Sequence, residues 1–317
     1  MSDPGNSADG TGVVFERMAL IGIGNLGSSI ARAVRERGLV RTVAVADLSD
    51  EARARAAELG LADAFFESPA DAVQDADVVV ICTPIGTYGA IAEGIAPHLK
   101  PGAVLTDIGS VKQAVIAAVQ PHVPAGVHFI PGHPIAGTEK SGPDAGSGAL
   151  FEGRFWILTP TEGSDPAAVA KLAGLWTRCG ALVEELPAAY HDKVLAVTSH
   201  LPHLIAYTIV GTAFDLEGQE QRDVIRFSAG GFRDFTRIAG SNPIMWRDIF
   251  LNNREAVLEM LQRFSEDLSY LQRAIRWGEG DKLQELFTKT REIRQGVIEA
   301  KQAKPFPYGG NGGGNGK

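Results

Sequence analysis

Short apolar runs alternate with amphipathic segments along the first half of the chain. The runs are four to six residues long and rich in Val, Ile and Ala, which is typical of strands buried in a parallel sheet. They lie at residues 18–21, 42–46, 76–81, 103–107, 127–130, 155–159 and 181–184. Apolar positions in the intervening segments recur at helical spacing. This alternation predicts a mainly parallel, doubly wound sheet whose last strands can reverse direction.

The strand pattern stops near residue 187. Helical periodicity replaces it over residues 189–213, 219–228, 243–277 and 280–302. We therefore predict an α/β domain at 17–186 followed by an all-helical domain at 187–303. Residues 1–16 and 304–317 are rich in Gly and polar residues, and we expect them to be flexible tails.

The first predicted strand leads directly into the glycine motif Gly22-Ile23-Gly24-Asn25-Leu26-Gly27, which opens a helical segment. Strand, G-x-G-x-x-G and helix in this order form the dinucleotide fingerprint of Rossmann-type domains. Gly22 allows a tight turn, Gly24 lets the backbone approach a pyrophosphate, and Gly27 lets the helix pack close to the strand. Asn25 and Leu26 stand at the helix N-terminus, whose free N–H groups favour an anion.

An acidic residue, Asp47, ends the second predicted strand, about 20 residues after Gly27. A carboxylate at this point can accept hydrogen bonds from both ribose hydroxyls and would repel a 2′-phosphate. The sequence therefore predicts NAD as the cofactor and makes NADP the less favoured one. Three arginines lie close in sequence, and their positive charge opposes this preference because it attracts a 2′-phosphate: Arg41, Arg53 and Arg55.

Three further strand ends carry polar or small residues. Ligands of a doubly wound sheet bind beyond the carboxyl ends of its strands. Thr83 and Pro84 follow one such end and can line the adenine or ribose side of the cofactor. Ser110 follows another, directly before a helix. A serine there is commonly an N-cap, although an N-cap in a cleft can also hydrogen-bond a substrate hydroxyl.

The third end leads into residues 132–142, GHPIAGTEKSG, which are too rich in Gly and Pro for a helix interior or a central strand. The run carries groups that move protons or hold anions, including His133, Thr138 and Glu139, and we predict that Thr138 contacts the substrate. We interpret it as a functional loop on a rigid scaffold. Because a neutral imidazole can take the proton when a nicotinamide oxidises an alcohol, His133 is the candidate base. Activity should then rise through a pKa near that of an ordinary histidine.

Composition narrows the function classes. The chain of 317 residues has a net charge of −8, which argues against a nucleic acid partner. Its two cysteines lie far apart and predict free thiols, and no apolar run reaches the length of a membrane span, so we expect a cytoplasmic enzyme. His200 and His203 could suggest a metal, but Pro202 lies between them and no carboxylate or thiol nearby completes a ligand set. We predict no metal.

The helical half contains a second cluster, GGFRDFTRIA at residues 230–239. Arg237 can pair with Asp234 as an ordinary surface ion pair, or it can hold a carboxylate in bidentate fashion. Trp246 follows soon after. A core or interface role is the favoured interpretation of this tryptophan, and substrate contact is the alternative.

Taken together, the motifs resemble the prephenate/arogenate (cyclohexadienyl) dehydrogenases of tyrosine biosynthesis. The resemblance covers residues 17–300 and rests on GIGNLG, DIGSVK, GHPIAGTEKSG, SHLPH, GGFRDFTRIA and NPIMWRDIF, in that order. It implies NAD(P)-dependent oxidation of the ring hydroxyl of prephenate or arogenate with loss of CO2, giving 4-hydroxyphenylpyruvate or tyrosine.

By motif, the resemblance implies that His133 is the catalytic histidine and that Ser110 orients the same hydroxyl. It implies that His200 and Arg237 hold substrate carboxylate and that Trp246 lies near the substrate side chain. It also implies a homodimer through the helical domain, where residues 243–277 carry more apolar surface than a lone domain readily covers.

Two alternatives stay open at this point. A dehydrogenase of the β-hydroxyacid type would carry a lysine with an asparagine four residues later, whereas Lys193 is followed by Val197. A non-catalytic NAD-binding module would not require His133, Ser110 and Arg237 together. The choice between prephenate and arogenate, and any inhibition by tyrosine, also stay open.

Overall fold

The computed structural model describes residues 12–137, 140–215 and 218–299. Its strands are β1 (Phe15–Ile21), β2 (Val40–Ala46), β3 (Ala64–Phe66), β4 (Val78–Ile81), β5 (Val104–Asp107), β6 (His128–Phe129), β7 (Gly132–Pro134), β8 (Phe155–Leu158) and β9 (Leu182–Glu185). Its helices up to β9 are α1 (Asn25–Glu36), α2 (Asp50–Glu58), α3 (Pro69–Ala72), α4 (Tyr88–Ile95), α5 (Lys112–Val119) and α6 (Pro166–Arg178).

The helices after β9 are α7 (Ala188–Leu195), α8 (Leu201–Phe214), α9 (Gly218–Phe227), α10 (Gly230–Thr236), α11 (Pro243–Asn252), α12 (Arg254–Arg276) and α13 (Gly280–Glu299). A π-helical turn, Ala196–His200, joins α7 to α8, and a 3₁₀ turn, Arg237–Gly240, follows α10.

The strands β1 to β6 form one parallel sheet in the order β3-β2-β1-β4-β5-β6. The predicted fold class, a parallel Rossmann-type sheet followed by helices, is confirmed. The order reverses between β1 and β4, which is the point where doubly wound sheets bind ligands. The hydrophobic pattern did not predict β3, because its three half-buried residues at the sheet edge make too short a run.

A second sheet has the order β7-β8-β9, with β7 antiparallel to β8 and β8 parallel to β9. The expected reversal among the last strands is therefore present. The expectation that residues 132–142 are a loop from their first residue was wrong, because Gly132–Pro134 form β7. Since β7 lies at the edge of its sheet, the missing N–H of Pro134 does not break a ladder between two strands.

The main core lies between the parallel sheet and the helices α4 and α5. The strands β1, β4 and β5 contribute branched side chains to it, and β6 contributes Phe129. Its fully or nearly buried members include Ile21, Val79, Ile81, Tyr88, Ile95, Leu105, Val115, Val119 and Phe129. This core holds the carboxyl ends of β4 and β5 in fixed positions.

Two predicted long helices are irregular in the structure. The segment at 189–213 stays helical but contains the π turn, a feature frequently found at functional sites. The segment at 243–277 breaks at Asn253, whose φ and ψ of −108° and 32° leave the helical region. Helical periodicity did not reveal this break, because Asn253 is buried at a position that the pattern treats as polar.

By its internal contacts the chain divides into two compact units, residues 1–260 and 261–317. The first holds both sheets and the helices from α1 to α11. The second holds most of α12, and α13. The predicted domain boundary at residues 186 and 187 falls in the turn between β9 and α7, inside the first unit.

One continuous helical stretch, Ala188–Phe214, is long and apolar enough by length and composition to span a membrane, with a mean hydropathy of 1.4 over an 18-residue window. The expectation that no run reaches such a length did not anticipate this stretch. This stretch also contains three buried ionisable residues, His191, Asp192 and His200. Buried ionisable side chains need polar partners, and a cluster of them marks a candidate functional site.

Candidate active site

The glycine motif forms the turn between β1 and α1. Gly22 has a φ of +98°, which L side chains rarely adopt. A Cβ atom at Gly27 would lie 2.2 Å from the carbonyl oxygen of Gly22, so only glycine allows this contact. A Cβ atom at Gly24 would meet nothing within 4 Å, so its backbone faces open space. The helix begins at Asn25 and Leu26 without a side-chain cap, which leaves its first N–H groups for an anion.

Asp47 lies beside this turn. Its carboxylate accepts hydrogen bonds from the backbone N–H groups of Ile23 and Ser49, each at 2.9 Å. The nearby arginines are all engaged with carboxylates: Arg41 with Glu16, Arg53 with Asp50, and Arg55 with Asp144 and Glu58. These ion pairs reduce the positive charge available to a 2′-phosphate, so the residues present fit NAD.

Thr83 and Pro84 follow β4 at the switch point of the sheet. A Cβ atom at Gly22 would come within 3.1 Å of the Thr83 methyl group, so Thr83 packs against the glycine turn. The Thr83 hydroxyl lies 2.8 Å from that of Thr87, while Pro84 is exposed. Both residues therefore stand where they can line a cofactor held by the glycine motif.

A buried ion pair joins the carboxyl end of β5 to β7. Lys112 and Asp107 are both 0% exposed and form a salt bridge. The Lys112 ammonium also donates to the carbonyl oxygen of Gly132 at 2.6 Å, and Asp107 accepts from the N–H of Gly132 at 3.0 Å. Because buried charges need such partners, the pair fixes the backbone directly before His133.

His133 is 8% exposed and belongs to a chain of three polar side chains. Its Nδ1 lies 2.8 Å from Nε2 of His191. His191 Nδ1 in turn lies 2.8 Å from Oδ1 of Asp192. His191 and Asp192 are completely or almost completely buried. His133 contacts His191 through Nδ1, so its other ring nitrogen, Nε2, is not engaged with His191.

Burial lowers the pKa of His133 well below its ordinary value, and the positive charges that His191, Lys112 and His200 can carry act in the same direction. The pKa of His191 is also lowered, mainly by burial. Although burial acts to raise the pKa of Asp192, hydrogen bonds from His191 and two backbone N–H groups outweigh it and lower that pKa. At neutral pH the site therefore holds an ionised Asp192 and a neutral His133. The lowered pKa of His133 differs from the ordinary histidine value expected for the base.

Ser110 is half-buried between β5 and α5. Its alternative interpretation as an N-cap was wrong, because the cap position belongs to Val111 and no side chain of the preceding loop caps α5. Asp192 supplies the cap instead, by accepting from the N–H groups of Lys112 at 2.7 Å and Gln113 at 2.9 Å. The Ser110 hydroxyl does not cap α5.

Asn253, His200 and Trp246 form the other side of the site. The Asn253 amide donates to the carbonyl oxygen of Asp192 at 2.8 Å and lies 3.0 Å from Nδ1 of His200. His200 is 0% exposed, and its Nε2 has no hydrogen-bond partner among the described residues. Burial lowers its pKa to about 4. Trp246 packs edge-on to His200, with 6.1 Å between ring centroids, and stacks on His203 at 3.6 Å.

Arg237 is exposed at the start of the 3₁₀ turn that follows α10. Burial lowers the pKa of His203, and the positive charge of Arg237 lowers it further. Because His203 stacks on Trp246, Arg237 lies on the same side of the site as Trp246. The hydroxyl of Tyr207 donates to the carbonyl oxygen of Ser241 at 2.9 Å and ties this turn to α8. Thr138, the remaining predicted substrate contact, lies outside the described residues.

Sequence reasoning missed the residues that connect these side chains. His191, Asp192, Asn253 and the buried role of Lys112 had no place in the prediction. The adjacent His191-Asp192 pair in the predicted helix at 189–213, whose residues are mostly apolar, was the available signal, because such polar groups need partners when buried. Asn253 gave no signal, since its partners are 53 and 61 residues away.

These features define a class of protein, an NAD-binding oxidoreductase with a Rossmann-type domain. The chain belongs to the prephenate dehydrogenase family. Residues 30–185 match the family model of the prephenate dehydrogenase nucleotide-binding domain, and residues 187–289 match that of the prephenate dehydrogenase dimerization domain. The family resemblance of the sequence motifs is thereby confirmed.

Relatives and solved structures agree. The chain is 42% identical to the cyclohexadienyl dehydrogenase of Zymomonas mobilis over 92% of its own length and 99% of that protein. It is 34% identical to the prephenate dehydrogenase of Bacillus subtilis over 92% of its own length and 79% of that protein. A crystal structure of Aquifex aeolicus prephenate dehydrogenase with hydroxyphenyl propionate and NAD+ has a TM-score of 0.83 and 34% identity, over 89% of this chain and 98% of that chain.

Proposed function

We propose that this chain catalyses the NAD-dependent oxidative decarboxylation of prephenate, arogenate or both, giving 4-hydroxyphenylpyruvate or tyrosine in tyrosine biosynthesis. One observation carries the proposal. A buried histidine with a lowered pKa, His133, follows the carboxyl edge of a dinucleotide-binding sheet, and a second buried histidine nitrogen, His200 Nε2, lacks a partner among the described residues. Membership of the prephenate dehydrogenase family supports it.

When bound in the glycine turn, NAD supplies the hydride acceptor. His133 takes the proton of the ring hydroxyl at its Nε2, so the oxygen becomes a carbonyl as the hydride leaves the ring carbon. This carbonyl is conjugated to the carbon that bears the carboxylate and draws the electron pair of the breaking C–C bond. After CO2 leaves, the ring is aromatic and its oxygen recovers a proton from His133.

The remaining side chains orient the substrate. The half-buried Ser110 hydroxyl can hold the same ring hydroxyl toward His133. His200 Nε2, which has no hydrogen-bond partner among the described residues, suits a substrate carboxylate, as does the Arg237 guanidinium, and Trp246 closes that side with an apolar face. Thr138 completes the proposed contacts by motif alone. Lys193 does not belong to this set, because it is exposed and pairs with Glu259 at 3.3 Å, which disfavours the β-hydroxyacid alternative.

Steady-state turnover tests the function directly. The purified chain is assayed with prephenate and with arogenate, each with NAD and with NADP. We expect NAD-dependent turnover of at least one substrate with release of CO2. A chain that binds NAD but turns over neither substrate would be the non-catalytic binding module.

The variants Arg237→Gln and Ser110→Ala separate binding from chemistry. Arg237→Gln should raise KM by roughly ten- to a hundredfold with a small effect on kcat, because a carboxylate contact exists in ground and transition states alike. Ser110→Ala should lower kcat moderately through lost orientation. A loss of kcat alone in Arg237→Gln would contradict its assigned role.

We propose that the enzyme acts as a C2 homodimer through its helical part. The helices after β9 in the first unit expose large apolar side chains at Ile209, Phe214, Ile244, Met245, Leu251 and Leu258. The second unit exposes Leu268, Ile275, Trp277, Phe287 and Ile293. Large exposed apolar side chains in such numbers on each unit favour burial in an interface between subunits. A monomer mass by light scattering at micromolar concentration would contradict the proposal.

We propose a cytoplasmic location. Cys82, half-buried, and Cys179, buried, are both free thiols, the state typical of a reducing compartment. Fractionation of cells that express the chain should recover it with the other proteins of the cytoplasm. Recovery with membranes would show that Ala188–Phe214 acts as a membrane segment instead.

A further inference from the structure

We propose that Asp192 fixes opposite tautomers at the two histidines of the site. Through His191 it keeps the proton of His133 on Nδ1, so that Nε2 is a proton acceptor. Through Asn253 it keeps the proton of His200 on Nε2, so that this nitrogen is a hydrogen-bond donor. The assignment of chemical roles to these two atoms rests on the proposed function, whereas the tautomers themselves follow from the hydrogen bonds.

The first branch begins at the Asp192 carboxylate. Oδ1 accepts from the backbone N–H of Lys112 and Oδ2 from that of Gln113. Backbone N–H groups can only donate, and an ionised carboxylate can only accept. His191 Nδ1, which lies 2.8 Å from the same Oδ1, must therefore carry a proton and donate it.

The first branch ends at His133. A neutral imidazole has one N–H, so the proton on His191 Nδ1 leaves His191 Nε2 with a free lone pair. His133 Nδ1 lies 2.8 Å from this Nε2 and must donate to it. Neutral His133 then has no proton on its own Nε2. This arrangement resembles the carboxylate–histidine pair of hydrolases, extended by one imidazole.

The second branch begins at the main chain of the same residue. The Asn253 side-chain atom that faces the carbonyl oxygen of Asp192 at 2.8 Å must be the NH2 group, because a carbonyl only accepts. The other hydrogen of this NH2 group faces Nδ1 of His200 at 3.0 Å. His200 Nδ1 is therefore the acceptor, and neutral His200 carries its proton on Nε2.

The two branches give the site one acceptor and one donor from two chemically identical side chains. The acceptor, His133 Nε2, matches a hydroxyl that must lose its proton. The donor, His200 Nε2, is buried without a partner among the described residues and matches a carboxylate oxygen. Neither ring can exchange roles without leaving a buried group of the network unpaired, which is unfavourable away from water. His191, Asp192 and Asn253 are positioning residues in this scheme.

Nitrogen NMR of the full chain labelled with 15N-histidine tests the tautomers without any substrate. Protonated and unprotonated ring nitrogens have well-separated chemical shifts, and the variants His133→Asn and His200→Asn assign the signals. At a pH of about 8, where both rings are neutral, we expect protonated Nδ1 with bare Nε2 for His133 and the reverse for His200. The opposite tautomer at either ring, or averaged shifts at either ring, would overturn the proposal.

Matched variants of His191 connect the tautomer to turnover. His191→Phe keeps a ring of similar size but removes both hydrogen bonds, whereas His191→Gln keeps one acceptor and one donor. We expect His191→Phe to lower kcat about 10- to 100-fold with little change in KM, and His191→Gln to recover part of the loss. Equal losses in both variants, or an unchanged His133 tautomer in His191→Phe, would contradict the positioning role.

The outcomes separate this proposal from the proposed function. Predicted tautomers in a chain that turns over neither prephenate nor arogenate would uphold the network and reject the function. Turnover of either substrate by a chain with the wrong tautomers would uphold the function and reject the network.

Discussion

The glycine turn and the histidine site are built by different means. Three glycines and Asp47 make the turn within one βαβ unit, and the hydrogen bond from Ile23 to Asp47 spans only 24 residues. The histidine site joins residues that lie 53 to 80 positions apart, as between His200 and Asn253 or between Lys112 and Asp192. The first site is a local motif that a sequence displays, whereas the second exists only after folding.

The two sites also use different chemistry. The glycine turn works by the absence of side chains, which lets backbone and helix approach each other and a phosphate. The histidine site works by buried polar side chains whose partners are obligatory, because an unpaired polar group is costly away from water. We therefore expect substitutions in the turn to change cofactor binding, substitutions at His133 to change the chemical step, and substitutions at His200 to change substrate binding.

The largest expected effect is that of His133→Asn. Removal of a general base lowers kcat by about 10²–10⁴-fold, while NAD affinity should stay near that of the wild type because His133 is not in the turn. The control is His128→Asn on the neighbouring β6, a histidine that is outside the buried network. A normal kcat in His133→Asn would reject the assignment and make His200 the next candidate.

Two single variants, Gly27→Ala and Gly24→Ala, test the glycine turn when their effects are compared. Gly27→Ala places a Cβ atom 2.2 Å from a backbone oxygen and should lower the free energy of unfolding by about 1–3 kcal/mol. Gly24→Ala meets nothing within 4 Å, so it should keep stability but raise KM for NAD. Urea unfolding and cofactor kinetics measure the two effects. Equal stability losses would show that Gly24 is structural too.

Asp47→Ser should shift cofactor preference toward NADP. The wild type should have the higher kcat/KM with NAD, and the variant should lose the charge that repels a 2′-phosphate. The ratio of kcat/KM for the two cofactors is the measurement. A wild type that prefers NADP would show that the paired arginines, Arg53 and Arg55 among them, are available to the phosphate after all.

The histidine site should also make stability depend on pH. The folded-state pKa of His200, about 4, lies below the unfolded value near 6.5, so the unfolded chain binds more protons between these values. Stability is then fully present above about pH 6.5 and falls as the pH drops toward 4, by roughly 1–2 kcal/mol at pH 5 from this group. The lowered pKa values of His133 and His191 act in the same direction. Urea midpoints at pH 7.5 and 5 should differ less in His200→Gln, and an equal difference would contradict this assignment.

Local patterns predicted most of the fold. The strand runs, the glycine turn and the change to helices near residue 187 depend on neighbours in sequence. The edge strand β3 and the break at Asn253 were missed, because tertiary contacts decide them. A one-residue interruption such as that at Asn253 has no periodic signature, and the Asn253 amide bonds to Asp192, 61 residues away.

The candidate site was predicted only in part. Motifs indicated His133, His200 and Trp246. In the structure, buried hydrogen bonds connect His133 to His200, and Trp246 packs against His200. The motifs did not indicate that Asp192 caps α5 or that His191 connects it to His133, since both contacts cross between the sheet and the helical half. The lowered pKa of His133 likewise comes from burial, which a motif does not report.

The pH dependence of kcat/KM in the wild type and in His133→Asn tests the central claim most directly. Activity requires neutral His133, so it should rise with pH through an apparent pKa below the ordinary histidine value near 6.5, because His133 is buried and faces His191, Lys112 and His200. In His133→Asn this acid limb should vanish. A wild-type limb at or above 6.5, or a limb that persists unchanged in the variant, would contradict the account.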